Sequence, residues 1–264
     1  ASLLVLQGEQ ELANVNAEQP LAVGSAFKLA VLAALRGEIE QGQRRWDEVV
    51  ALQPDWKSLP SGLLQDWPDG TALTLETLAT LMISLSDNTA TDTLIHTLGR
   101  QPIESLSSRN RPFLSTREFF ALKNPQNASV LEQFRAGDEA ERRTLLGALA
   151  EAPLPSVNVF AGDPVAPDVE WFFSAQELCA LMAQVDDLPL MQVNPGVADP
   201  QSWAATAFKG GSEPGVLNLT SQVQSRSGTP YCVSATWNSS SQSLDEAALT
   251  QLYSGILTGL QSAP

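Results

Sequence analysis

Three short groups of residues carry side chains able to do covalent or proton-transfer chemistry. They are Ser25 with Lys28, Ser86 with Asp87 and Asn88, and Lys209 followed by Gly210 and Gly211. A serine hydroxyl is a weak nucleophile until a nearby base takes its proton. Ser25 and Lys28 are three residues apart, at the start of a stretch, Phe27 to Ile39, that is almost continuously apolar and rich in Ala and Leu. That pattern predicts a helix from about Ser25 to Gln41, buried on most sides. Residues three apart on a helix share a face, so the hydroxyl and the amine can meet. An amine among apolar neighbours loses part of its preference for the charged form and can accept the serine proton. The Ser25 N–H lies among the unpaired donors of a helix start, where it can stabilise a developing oxyanion. A serine in that place is also an ordinary helix cap. The pair alone leaves catalysis and capping both open.

The second group interrupts a helical pattern. Thr74 is placed to cap a helix over Leu75–Leu85, and a second helix runs from about Thr89 to Leu98. Ser86-Asp87-Asn88 between them reads either as a turn and cap or as a loop presenting side chains to a cleft. The third group ends a short strand, Thr206-Ala207-Phe208, as a solvated lysine on a bulge or as a cation beside a substrate.

The elements that must position these groups follow from the hydrophobic pattern. Residues 1–20 read as a strand pair turning at Gln7-Gly8-Glu9. Residues 42–70 are irregular, and 101–150 are helical in short pieces. Ser174 caps a helix to about Val185, and Asp245 starts a last one over Glu246–Leu260. Residues 206–210, 216–226 and 231–239 alternate as an antiparallel meander does. If the first and last parts share one sheet, the middle is an inserted helical domain. The expected fold is therefore α/β (α+β). An antiparallel sheet domain comes from 1–24 and 203–264, a helical domain from 25–202, and the active site falls between them. The last helix is expected to leave an apolar face, with Leu252, Ile256 and Leu260, partly uncovered.

Composition removes several classes of function. The chain has 264 residues, 43% hydrophobic, and a net charge of −15, which argues against nucleic acid or an anionic membrane surface as partner. No stretch is long and apolar enough to span a bilayer, and no signal peptide pattern opens the chain. A single histidine, His96, and two cysteines make a metal site unexpected, and no cofactor is implied. His96 is read as structural. Cys179 falls in a helical pattern and Cys232 in a strand pattern. They are expected to be two buried free thiols, with one disulfide as the lesser alternative.

The order Ser-x-x-Lys, Ser-Asp-Asn, Lys-x-Gly resembles that of the penicillin-recognising serine hydrolases, the class A β-lactamases and penicillin-binding proteins. Ser25-Ala26-Phe27-Lys28-Leu29-Ala30-Val31-Leu32 and Met82 to Asp92 are similar to the corresponding class A stretches, and so is the ending of three strands and a helix. Only about residues 110–170 look like an insertion. The resemblance implies a β-lactamase/transpeptidase-like fold and roles for single residues. Ser25 would be acylated and Lys28 would accept its proton. Ser86 would relay a proton to the leaving group. Asn88 would hold the substrate amide, with Gly210, Gly211 and Ser212 also lining the substrate. Lys209 would bias the field for a carboxylate, and the N–H groups of Ser25 and Ser212 would form the oxyanion hole. Asp87 would be a structural partner within its loop. The substrate would be a small-molecule β-lactam, ester or peptide, the chain a monomer, and its place periplasmic or secreted.

The sequence departs from that pattern at three points. Gly210 replaces a hydroxyl residue, for which Ser212 is the available substitute. No Lys or Arg lies between Lys209 and Arg226. No Glu-x-x-x-Asn follows Asn88 to hold a deacylating water, so the base is sought at Glu118, with Glu170 as a weaker rival. The departures keep two other readings open: a D-Ala-D-Ala peptidase or esterase on the same machinery, and a β-lactam-binding module without turnover.

Overall fold

The computed structural model describes residues 1–261. In chain order the first elements are β1 (Ser2–Gln7), β2 (Gln10–Val15), β3 (Leu21–Ala22), α1 (Lys28–Glu40), β4 (Val49–Ala51) and β5 (Ala72–Thr74). Helices α2 (Leu75–Ser84), α3 (Asn88–Leu98), α4 (Arg100–Leu106), α5 (Thr116–Leu122), α6 (Ala128–Ala136) and α7 (Glu139–Glu151) follow. The chain continues with β6 (Phe172–Phe173), α8 (Ala175–Met182), β7 (Ala205–Glu213), β8 (Val216–Gln224), β9 (Pro230–Asn238) and α9 (Glu246–Gln261). The described residues divide into two compact units, 1–29 with 170–261, and 30–169.

The first unit holds a five-stranded antiparallel sheet in the order β2-β1-β9-β8-β7. Alternation along each strand sends Val5, Leu217, Leu219, Val223, Val233 and Ala235 to one face, where they form a core with Tyr253 and Leu257 of α9. Tyr253 and Leu257 are four apart and so lie on one side of the helix. The Tyr253 hydroxyl donates to the Val233 carbonyl at 2.8 Å, which satisfies the one polar atom that this ring buries. On the outer side of α9, Leu252 is 63% exposed, while Ile256 and Leu260 are half-buried against the core.

The opposite face packs Leu4 and Cys232 against Ala175 and Cys179 of α8. Here two expectations are corrected. Cys179 and Cys232 are disulfide-bonded, not free, because α8 lies on β9 and brings their Cα atoms to 6.0 Å. The boundary falls at 169/170 and not at 202/203, because β6 pairs with β3 and α8 packs on the sheet.

The second unit is helical, with one small ribbon, β4 against β5. Its helices are fixed by short-range polar signals. Thr74 caps α2, accepting from the Thr77 N–H, and Asp87 caps α3, accepting from the Ala90 N–H at 2.8 Å. Ser115 with Glu118, and Asp138 with Glu141, form capping boxes at α5 and α7.

Candidate active site

In the first unit, Ser25 stands half-buried in a 3-10 turn, Gly24–Phe27, and the α-helix begins only at Lys28. Gly24 takes a left-handed φ of +49°, open to glycine at little cost. The turn lies directly over β7. A methyl group at Gly211 would overlap Ser25 N, Val23 O and Ala26 N, and one at Gly24 would stand 3.2 Å from Ser212 N. The main-chain N–H of the candidate nucleophile and the Gly211-Ser212 backbone are therefore neighbours. Lys28 is fully buried one turn later. Phe27 stacks on Trp171 with ring centroids 3.8 Å apart, and the Val23 N–H donates to the Trp171 carbonyl at 3.1 Å, which locks the turn.

Lys209, Gly210 and Gly211 do not end a strand, as the sequence suggested. Strand β7 runs on to Glu213, with Lys209 opposite Thr220, Gly210 opposite Leu219 and Gly211 opposite Asn218. Lys209 is 4% exposed, and burial pushes its amine down to about 7. Its Nζ donates to the Gly210 carbonyl at 2.5 Å. Across the strands, the residues opposite Lys209 and Gly211 are polar and buried. Thr220 meets Ser234 at 2.9 Å, and the Asn218 amide donates to Thr236 Oγ1 at 2.9 Å. These groups are buried at little cost because they satisfy one another. Position 210 has no room for a hydroxyl side chain: a Cβ there would lie 2.8 Å from Phe208 Cζ and 2.9 Å from Asn218 O. Ser212 is exposed.

In the second unit, Ser86, Asp87 and Asn88 join α2 to α3, cradled by residues 57–64. Asp87 Oδ2 accepts the N–H groups of Leu63 (2.7 Å) and Leu64 (3.0 Å) while Oδ1 caps α3. Gly62, at φ +100°, packs so closely on the Asp87 side chain that no larger residue fits. Ser86 is half-buried at φ +55°, outside the usual range for a residue with a Cβ, and Ser61 Oγ donates to its carbonyl at 2.8 Å. Asn88 donates its N–H to the Ser61 carbonyl and its side-chain amide to the Leu59 carbonyl, both at 3.0 Å.

Glu118 is buried and structurally engaged. One carboxylate oxygen closes the capping box on the Ser115 N–H at 2.8 Å, and the other pairs with Arg100. Arg100 also donates to the Phe113 carbonyl, while the Phe113 N–H donates to Glu104, so charged side chains hold both main-chain polar groups of Phe113. Glu170 is buried next to Trp171. His96 stacks on Trp56 with centroids 5.0 Å apart, and burial lowers its pKa. Among the described residues no group of His, Cys, Asp and Glu could hold a metal ion, and no helix is long and apolar enough to cross a membrane.

The sequence reading missed Asp92, Thr116 and Ser58. Asp92 is fully buried, and its two oxygens accept the N–H groups of Thr116 (2.6 Å) and Arg117 (2.8 Å). The one signal was an acid in a helical run, Asn88 to Ile95, that is otherwise wholly uncharged.

Comparison with known proteins agrees with this architecture. The model of the beta-lactamase enzyme family matches residues 2–145, a span that includes much of the stretch read as an insertion. No curated protein matches the sequence. Among solved structures, a beta-lactamase from Sphaerobacter thermophilus is similar with a TM-score of 0.62 at 19% identity, covering 100% of this chain and 92% of its own. PBP-A is similar with a TM-score of 0.65 at 18% identity, over 99% of this chain and 90% of its own. An ancestral class A beta-lactamase gives a TM-score of 0.65 at 15% identity, over 98% of this chain and 92% of its own.

Proposed function

The chain belongs to the beta-lactamase enzyme family, and on that premise we propose that it is a serine hydrolase that opens a β-lactam, or a related amide or ester, through an acyl-enzyme on Ser25. The observation that carries this reading is the seating of the Ser25 turn on Gly211 and Ser212 of β7, with Lys28 fully buried one turn away. A variant of PBP-A is described as an acyl-enzyme complex with penicillin G, which supports the same chemistry here.

In the proposed reaction Lys28 takes the Ser25 proton, and Ser25 Oγ attacks the carbonyl carbon. The N–H groups of Ser25 and Ser212 receive the charge developing on the carbonyl oxygen. Ser86 passes a proton to the leaving nitrogen or oxygen, Asn88 holds the substrate amide, and Lys209 favours an anionic substrate group. Water then attacks the ester.

This second half-reaction is the slow one. A base must lie within hydrogen-bond reach of the water, and both oxygens of Glu118 are held in structural bonds. Position 210 also excludes a hydroxyl side chain. These two features favour a peptidase or esterase as the second reading. The disulfide suits an oxidising compartment, in keeping with a secreted or periplasmic protein.

The test is stopped-flow with a chromogenic cephalosporin, beside a p-nitrophenyl ester and a D-Ala-D-Ala peptide. A burst of about one product per enzyme is expected, then a steady rate lower by roughly 10²–10⁴, the usual worth of a general base. Mass spectrometry should map one adduct to the Ser25 peptide, lost in Ser25→Ala. A burst-free fast trace that Glu118→Gln abolishes would make Glu118 the deacylation base. No adduct with any of the three substrates would leave a binding module.

A further inference from the structure

Asp92 takes no part in the reaction just proposed, yet it is a carboxylate fully buried on α3, one turn after Asn88. Its two oxygens receive the first N–H groups of α5, from Thr116 and Arg117. Those two residues reach onward to one place. The Thr116 hydroxyl lies 2.8 Å from Ser58 Oγ, and the Arg117 guanidinium donates to the Lys57 carbonyl at 3.1 Å. The carbonyl two residues further along, that of Leu59, receives the side-chain amide of Asn88. Two shorter links close the circuit. Thr116 Oγ1 is 3.3 Å from the Asn88 carbonyl, and the Ser58 N–H donates to Thr89 Oγ1 at 3.1 Å.

We infer that Asp92 is a positioning residue, whose ionised carboxylate orients Asn88 by way of Thr116, Arg117 and segment 57–59. Its bearing on substrate rests on the function proposed above; the coupling itself does not. The geometry asks for the ionised form. Two N–H donors each point at a separate oxygen, and the oxygen that takes a proton loses its charge and accepts its N–H more weakly. Weakening one of these bonds loosens the first turn of α5 and, through it, the strut that fixes Asn88. Burial opposes ionisation and pushes Asp92 up to about 7, while the two amides and the Thr116 hydroxyl draw it down. The carboxylate therefore changes state in the neutral range. Charged and titratable groups on α3 and on the segments packed against it include Asp87 and His96, Arg117 and Glu118 of α5, Arg100 of α4 and Lys57 of the strut. Glu118 adds to the upward push.

The experiment follows the Asn88 side-chain amide and the Asp92 carboxyl carbon by NMR from pH 5 to 9. Both signals should move with one midpoint in the wild type. In Asp92→Asn, whose amide replaces one acceptor with a donor, the Asn88 signal should stay at the wild-type low-pH position. In Thr116→Val, Asp92 should still titrate and the Asn88 shift should shrink by at least half. Acylation of Asp92→Asn should be about ten- to a hundredfold slower than wild type above pH 8, as for a misplaced contact group. An Asn88 signal that ignores pH, or that titrates unchanged in Asp92→Asn, overturns the inference. If the wild type forms no acyl-enzyme, the proposed function fails, and the amide titration still decides the role of Asp92.

Discussion

Gly211 shows how little freedom the candidate nucleophile has. The smallest added side chain would overlap Ser25 N, Val23 O and Ala26 N. Overpacking of this kind costs on the order of 1–3 kcal/mol when the surroundings yield. Here they would yield by lifting the Ser25 turn off β7. Gly211→Ala is expected to keep the fold and slow acylation about a hundredfold. Thermal denaturation beside a mass-spectrometric acylation assay checks both parts, and an unimpaired acylation rate would show that the turn is not held there for catalysis. Ser25 and Lys28 were legible in the sequence because their type and spacing name the chemistry. Asp92 was not. An acid in a helical run says nothing until α5, more than twenty residues later, turns two N–H groups toward it. Gly211 was legible as part of a motif, but the steric reason for it lies in a segment far away in sequence.

Among the elements, the helices were easier to read than their partners. The caps Thr74 and Ser174 stand where side-chain signals put them. The two-residue strands β3 and β6 left no periodic trace, being too short for alternation to register. The disulfide escaped for a related reason, since cysteine pairing depends on where a helix docks. Its effect belongs to α8, eight residues long and too short to be stable alone. The cross-link closes a span of 53 residues and ties that helix to β9. Loop closure of this size is worth about 2–4 kcal/mol. A urea titration of Cys179→Ala with Cys232→Ala should show a loss in that range. A midpoint unchanged from the oxidised wild type would mean that packing alone holds α8.

For the whole molecule, two buried groups, one in each unit, answer pH in opposite directions, with His96 partly offsetting the first. Asp92, in the second unit, is raised to about 7 from an ordinary carboxylate value of 3.8. The folded form holds the proton more tightly, so this group's stabilisation is full below 3.8 and lost as pH rises through about 7. Lys209, in the first unit, is lowered to about 7 from 10.5. Its stabilisation is full above 10.5 and lost as pH falls through about 7. Hydrogen exchange resolved by unit should show 30–169, apart from the first turn of α5 that protonation of Asp92 loosens, gaining protection from pH 7.5 to 5, and the sheet unit gaining it from 7.5 to 9.5. Asp92→Asn should remove the first slope alone and Lys209→Met the second alone. Slopes that survive these substitutions would assign the pH response to other groups.

The sheet pairs Ser2 with Thr236 and Gln7 with Tyr231, so β1 finds its partner in β9 near the other end of the chain. On a ribosome adding about 5–20 residues per second, β1 waits roughly ten to fifty seconds for that strand to emerge. The helical segment 30–169 is synthesised whole within that interval. The β1-β2 hairpin, with Leu4 and Val5 destined for the core, spends it as an isolated two-stranded ribbon, which is marginal in water. Nascent-chain handling therefore falls on the β1-β2 hairpin, and the candidate nucleophile gains its seat on β7 only once residues 205–213 have been made.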